Sequence, residues 1–123
     1  MNPITQLMAS DTAFIASADA TLAAIGAALD AALEASDADV DWSLNDGILE
    51  IDCGANGKLI VNRHVANREI WVAAKSGGFH FRAEGVTWRD TRSAQELAAT
   101  LQRLLREQAK LDVDLSALPA PGL

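Results

Sequence analysis

The chain has 123 residues, of which half are apolar and 22% are charged, a composition typical of one ordered globular domain and not of a disordered chain. Its formal net charge of −7 argues against nucleic acid or anionic lipid as the main partner, because both repel an acidic surface. All ten Lys and Arg residues follow position 57, so the first 57 residues carry −10 and the remainder +3. This asymmetry suggests a cationic partner or a hard metal ion.

The single cysteine, Cys53, excludes an intramolecular disulfide and fits a reducing compartment. Its apolar neighbours predict a small core residue rather than a nucleophile. Residues 1–10 lack the basic and long apolar segments of a signal peptide, and no stretch approaches about 18 consecutive apolar residues. We therefore expect a cytoplasmic protein without a membrane span.

Residues 13–35 are predicted to form one long amphipathic helix. Its larger apolar residues recur at the spacing of one helical face; they are Phe14, Leu22, Ile25, Leu29 and Leu33. At about 100° per residue, Asp19, Asp30 and Glu34 fall within about 40° of one another on the other side. The first helix therefore carries an acidic stripe.

From Asp39 onward the hydrophobic period is two, which predicts about six strands. They cover residues 39–44, 48–53, 58–63, 69–73, 79–83 and 87–89. Asp46-Gly47 and Asn56-Gly57 are hairpin signals, because these pairs adopt positive φ at low cost. Residues 54–58 superficially suggest a phosphate loop, but they are too short for one and join two strands. The close turns imply an antiparallel meander.

Residues 93–96, Ser-Ala-Gln-Glu, match a capping box and predict a second helix after them. Its apolar side is formed by Leu97, Leu101, Leu104, Gln108 and Leu111. From Asp112 the chain is expected to be a loosely held tail that is not helical near its prolines. The predicted division is one domain at 1–115 and a Pro/Ala-rich extension at 116–123.

The expected fold is α+β, a two-layer sandwich with both helices on one face of the antiparallel sheet. Strand parity places one set of residues on the open face: Glu50, Asp52, Asn62, His64, Glu69, Trp71, His80 and Arg82. The inward set is Leu49, Ile51, Leu59, Val61, Ile70, Val72, Phe79 and Phe81. Trp71 is either a partner contact, since Trp is enriched at interface hot spots, or a stiffening residue half-covered by a stem such as that of Arg68.

Four motifs in fixed order resemble the frataxin family in its bacterial form. They are Asn62-Arg63, residues 70–73 (Ile-Trp-Val-Ala), residues 77–81 (Gly-Gly-Phe-His-Phe) and Trp88. The resemblance extends from about residue 13 to residue 115 and implies the same sandwich fold. It also implies weak binding of ferrous and ferric iron through acidic residues of the first helix and strand. The family acts in iron–sulfur cluster assembly by contacting the cysteine desulfurase and the scaffold protein.

By position, the resemblance implies five iron-binding carboxylates, which we call the acidic ridge: Asp30, Glu34, Asp37, Asp39 and Asp41. It implies Asn62 and Trp71 as partner contacts, with Arg68 as a further candidate beside them. This ridge has fewer acids than many bacterial members, because Ala28, Ala31, Ala32 and Leu33 stand where acids are common. We expect a monomer that can oligomerise with iron.

Two alternatives to a non-enzymatic iron-binding adaptor stay open. The ridge could oxidise ferrous iron or store it, as some family members are thought to do, or the protein could be an acidic interaction module without iron. His64 and His80 could add nitrogen ligands, although surface histidines are more often simply solvated. Residues 37–41 do not form an EF-hand loop, because they lack its glycine and its terminal bidentate acid. No catalytic triad or paired-carboxylate cleft is defined by the sequence.

Overall fold

The element order is helix, six strands, helix, as the sequence predicts. The structure, a computed structural model, describes the backbone of residues 3–123 and the side chains of residues 11–123. Its elements are α1 (Pro3–Glu34), β1 (Asp41–Asn45), β2 (Ile48–Asp52), β3 (Lys58–His64), β4 (Glu69–Ala74), β5 (Gly77–Glu84), β6 (Thr87–Asp90) and α2 (Leu97–Ala109). The first helix therefore begins about ten residues before the predicted start.

The strands form one antiparallel sheet in the order β1-β2-β3-β4-β5-β6, so each strand pairs with its neighbours in sequence. The β1–β2 hairpin turns at Asp46 and Gly47, whose φ angles are 49° and 76°. A side chain at Gly47 would be strained and would also meet the Arg63 guanidinium, because its Cβ would lie 2.6 Å from Cζ. The predicted Asp-Gly hairpin is confirmed.

The helices cover one face of the sheet, and the core lies between the two layers. The predicted inward residues of β2 to β5 are buried, except that Phe79 is only half-buried. From the described side chains of α1, five apolar residues have no exposed surface: Phe14, Ala18, Leu22, Ile25 and Leu29. The α2 residues Leu97, Leu101 and Leu104 complete the cluster.

The part of α1 from Asp11 to Glu34 is long and apolar enough, by length and composition alone, to cross a membrane. The expectation that no stretch comes near this criterion is therefore corrected. Alanine supplies the difference, because it raises the mean hydropathy without forming a run of large apolar residues. The large apolar side chains of the helix, such as Leu22 and Ile25, are fully buried under the sheet. They make α1 the central core helix of this fold.

The start of α2 differs from the predicted capping box. The helix begins at Leu97, and its N-cap, Glu96, makes no side-chain capping bond to any residue that the structure describes. Ser93 instead donates its hydroxyl to Asp90 at 2.7 Å, and Ala94 has a positive φ of 62°. The buried Asp90 recruits the serine, so the chain turns once more before the helix starts.

The C-terminal tail is more closely packed than expected. Alternate apolar residues Leu111, Val113 and Leu115 are buried, and Leu118 is half-buried against the core. Pro121 is buried, and its carbonyl accepts the hydroxyl of Ser17 in α1. The tail is not helical, as predicted. The expectation that it is loosely held was wrong, because its apolar residues pack on the core. The division at residue 115 remains a prediction.

Candidate functional site

The five residues of the acidic ridge lie along the β1 edge of the sheet. Asp30 and Glu34 are exposed on the last turns of α1, Asp37 and Asp39 are exposed in the connection, and Asp41 begins β1. The connection starts with a turn in which the Ser36 hydroxyl accepts the Ala38 backbone N–H at 3.0 Å. The chain therefore follows the sheet edge with its carboxylates in water.

Asp30 is held in place by β1. The Trp42 indole N–H donates to Asp30 Oδ1 at 2.8 Å. The Trp42 ring packs on α1 where Gly26 leaves room, since a Cβ on Gly26 would lie 2.7 Å from Cη2 of the ring. One oxygen of Asp30 is thus already engaged within the protein.

Asp19, the third member of the predicted acidic stripe, does not extend the ridge. Its carboxylate pairs with the Arg63 guanidinium of β3, which also pairs with Asp46 at 3.2 Å. This side of α1 is therefore used to dock the helix on the sheet. The helical period gave no sign of it, because the partner lies 44 residues away in sequence.

Two acids outside the predicted set share the surface of the ridge. Asp52 of β2 lies directly opposite Asp41, and Glu50 lies opposite Ser43. These four residues line a shallow groove of about 210 Å³ on the open face. Opposed like charges destabilise a strand pair, so this pairing favours a function over a structural role. Parity alone gave the outward direction of both acids, and only the β1–β2 register brings them beside Asp41.

The acidic groups do not form a closed metal centre. Among side chains 11–123, no three or more His, Cys, Asp or Glu residues are close enough together to hold one ion. Asp52 also accepts the Gly54 backbone N–H at 2.9 Å, and Glu50 pairs with Lys58. The donor chemistry suits hard cations, but one or two carboxylates with water bind such ions weakly.

At the centre of the open face, Trp71 lies between two histidines. The rings of His64 and Trp71 are 3.7 Å apart and those of Trp71 and His80 are 4.2 Å apart, each pair 7° from parallel. Because the indole separates the two imidazoles, they cannot share one metal ion. The imidazoles cover the two faces of the indole. Trp71 is nevertheless only half-buried, because part of the edge of its ring stays in water.

The other predicted partner-binding residues lie differently. Asn62 faces Trp71 directly across β3 and β4, and its amide donates to the Arg63 carbonyl at 3.2 Å. Arg68 lies in the β3–β4 turn with a φ of 51°, and its guanidinium pairs with Asp11 of α1 at 3.0 Å. The idea that the Arg68 stem covers Trp71 is wrong, because the histidine rings occupy both faces of the indole.

Sequence reasoning missed the role of Glu69. By parity it points outward, yet its side chain is only 4% exposed. It accepts the Trp71 indole N–H at 2.9 Å and an Arg82 N–H at 2.7 Å. Burial alone would raise the pKa of Glu69, but these hydrogen bonds and the charge of Arg82 outweigh it and lower the pKa. Nothing in the sequence indicated this arrangement, because it depends on the β4–β5 register, which places Arg82 directly opposite Glu69.

Cys53 is buried, as predicted, and burial, followed by the charge of Asp52, raises the pKa of its thiol. Such a thiol is a poor nucleophile. The turn Gly54–Asn56 joins β2 to β3 and does not lead into a helix. Neither feature adds a reactive group to the open face.

Sequence comparisons agree with this architecture. A family model described as a frataxin-like domain matches residues 7–111. The iron-sulfur cluster assembly protein CyaY of Dechloromonas aromatica (strain RCB) is 52% identical over 100 residues, which cover 80% of this chain and 91% of the relative. The protein of the same name from Herminiimonas arsenicoxydans is 43% identical over 107 residues, covering 86% and 96%.

Solved structures share the fold. Frataxin from Psychromonas ingrahamii matches with a TM-score of 0.68 at 31% identity, covering 85% of this chain and 95% of that one. Trimeric frataxin from the yeast Saccharomyces cerevisiae, complexed with ferrous iron, also has a TM-score of 0.68, covers 76% and 86%, and at 24% identity shows the fold alone. The motifs from Asn62 to Trp88, the sandwich and these relatives together establish that the chain belongs to the frataxin family, which includes the iron–sulfur cluster assembly proteins CyaY.

Proposed function

We propose that this protein is an iron-binding adaptor of iron–sulfur cluster assembly, which carries iron loosely on its acidic edge and contacts the assembly machinery with its open sheet face. The observation that carries the proposal is the exposed ridge at the β1 edge, with Asp52 opposite Asp41. The names of the bacterial relatives support it.

Iron in this role is cargo, and the ridge suits cargo. Its members Asp37, Asp39 and Asp41 are exposed, so a bound ion keeps most of its water and exchanges readily. A closed cage would hold iron too tightly for transfer. Asp52 extends the binding set of Asp30, Glu34, Asp37, Asp39 and Asp41 across the strand pair.

The proposed partners are the cysteine desulfurase and the scaffold protein of cluster assembly, in the cytoplasm. A half-buried tryptophan beside Asn62 on an open sheet face has the character of an interface anchor. The acidic edge would steer a basic partner toward this face, because opposite potentials raise association rates. The role is that of an adaptor, not a catalyst, and iron-dependent oligomerisation is compatible with it.

Binding to the purified desulfurase–scaffold complex tests the partner contact. Trp71→Ala should weaken binding by about 2 kcal/mol or more, the scale of an interface hot spot, without changing the far-UV circular dichroism. Val86→Ala is the matched control, because Val86 is 82% exposed in the β5–β6 turn and lies outside the face. Equal affinity of wild type and Trp71→Ala would remove Trp71 from the interface.

A further inference from the structure

The open face contains one buried ion, the Glu69 carboxylate. Each of its oxygens has a donor: Oε1 accepts the Trp71 indole N–H and Oε2 accepts the Arg82 guanidinium. His80 Nδ1 lies 3.9 Å from Oε1 on the same side. A buried carboxylate is unfavourable unless it is paired and hydrogen-bonded. Glu69 therefore depends on both donors, and moving either one would leave a buried carboxylate oxygen without a partner. An interior ion on a solvent-facing strand surface needs a reason.

The three-ring stack limits how a partner can meet Trp71. His64 and His80 cover both faces of the indole, and its only donor is directed to Glu69. What remains for a partner is a carbon edge of the ring. Aromatic edges carry partial positive charge, so the matching groups are an aromatic face or an apolar side chain, not a hydrogen-bond acceptor seeking the indole N–H.

We propose that Glu69 is a positioning residue for the Trp71 contact: it fixes the indole so that the partner meets a preformed ring edge, and Arg82 holds the carboxylate in place. This inference rests on the proposed function, in which Trp71 contacts the assembly machinery. A ring that is already immobilised loses less conformational entropy on binding. Loss of this preorganisation should weaken binding by about threefold to tenfold.

The test compares Glu69→Leu, which removes the acceptor, with Glu69→Gln, which keeps one acceptor oxygen. The chain has three tryptophans, so its indole N–H resonances report Trp71 while Trp42 and Trp88 serve as internal references. We expect Glu69→Leu to shift the Trp71 signal and to speed its hydrogen exchange, with Glu69→Gln in between. Glu96→Gln, which changes the exposed pair with Arg89 only, is the control. If Glu69→Leu does not fold, Glu69→Gln provides the same comparison.

Affinity for the desulfurase–scaffold complex completes the test. Glu69→Leu should bind threefold to tenfold more weakly than wild type, but should have no further effect in the Trp71→Ala background, because it acts through the ring. An unchanged indole signal, unchanged affinity, or an additive loss in the double variant would overturn the positioning role. If Trp71→Ala still weakens binding in those cases, the proposed contact stands; if both variants bind like wild type, the contact fails as well.

Discussion

At the scale of single residues, Asp30 shows how a carboxylate of the ridge is also structural. Its carboxylate accepts a hydrogen bond from the Trp42 indole N–H, and Gly26 leaves the space for the Trp42 ring against α1. The helical period placed Asp30 on a polar stripe, which is right, but it could not show the bond to β1. A small residue in an alanine-rich helix gives no sign that another element approaches it.

Gly26→Ala tests this contact, because its effect on the free energy of unfolding should change sign when the Trp42 ring is removed. Alanine is favoured over glycine in a helix by about 1 kcal/mol, but its Cβ would overlap the Trp42 ring, and overpacking costs about 1–3 kcal/mol. We expect a net loss of about 1 kcal/mol in wild type and a gain of up to about 1 kcal/mol in the Trp42→Ala background. Urea unfolding of the four proteins measures both values. A stabilising Gly26→Ala in wild type would show that the ring yields freely.

Acid should destabilise the protein through two buried carboxylates. Burial opposes the ionisation of Glu69 and Asp90, but hydrogen bonds outweigh it and lower both pKa values. The donors are Trp71 and Arg82 for Glu69, and mainly Ser93 for Asp90. Because the folded pKa lies below the unfolded one, this stability is present above about pH 4–5 and is lost as pH falls through the folded pKa.

The free energy of unfolding, measured in urea between pH 6 and pH 2, should therefore decline steeply below about pH 4. Glu69→Gln combined with Asp90→Asn should flatten this decline and lower stability at neutral pH. The exposed Glu84→Gln is the matched control. An acid profile of the double variant as steep as that of wild type would assign the effect to other carboxylates.

At the scale of elements, the six strands were predictable because the meander pairs each strand with the next, so short-range alternation and turn residues contain most of the information. The start of α2 was not predictable, because it depends on the bond between Ser93 and the buried Asp90. Ser93 and Glu96 have capping-box spacing, but the serine hydroxyl is bonded to Asp90. The tail likewise packs through alternate apolar residues whose docking site on the core cannot be read locally.

Ser93→Ala distinguishes these two roles of the serine. If Ser93 supports Asp90, the substitution should cost about 1 kcal/mol in wild type and much less in the Asp90→Asn background. Glu96→Ala should cost under about 0.5 kcal/mol, because the Glu96 side chain makes an exposed ion pair with Arg89 and its backbone bonds are kept. Urea unfolding again provides the measurement. The same cost of Ser93→Ala in both backgrounds would restore the helix-capping role.

At the scale of the whole molecule, the charge asymmetry of the sequence becomes a spatial one. The ridge lies at the β1 edge, whereas Trp71 lies on β4 near Arg82 of β5, so the surfaces that we propose for iron and for the partner are separate parts of one protein. The ridge residues were chosen from the resemblance and are exposed in the structure, while iron binding by them stays a prediction. Asp52 and Glu69 were not, because each depends on a cross-strand register: Asp52 opposite Asp41, and Glu69 opposite Arg82.

Iron binding by the acidic edge can be measured by an NMR titration of backbone amides with ferrous iron under anaerobic conditions. If the acidic edge binds iron, the signals of residues 30–41 and Asp52 should change first, and Asp41→Asn with Asp52→Asn should weaken this response while the exposed Glu84→Gln leaves it intact. Changes centred on His64 or His80, or an undiminished response in the double variant, would contradict the acidic edge as the iron-binding surface.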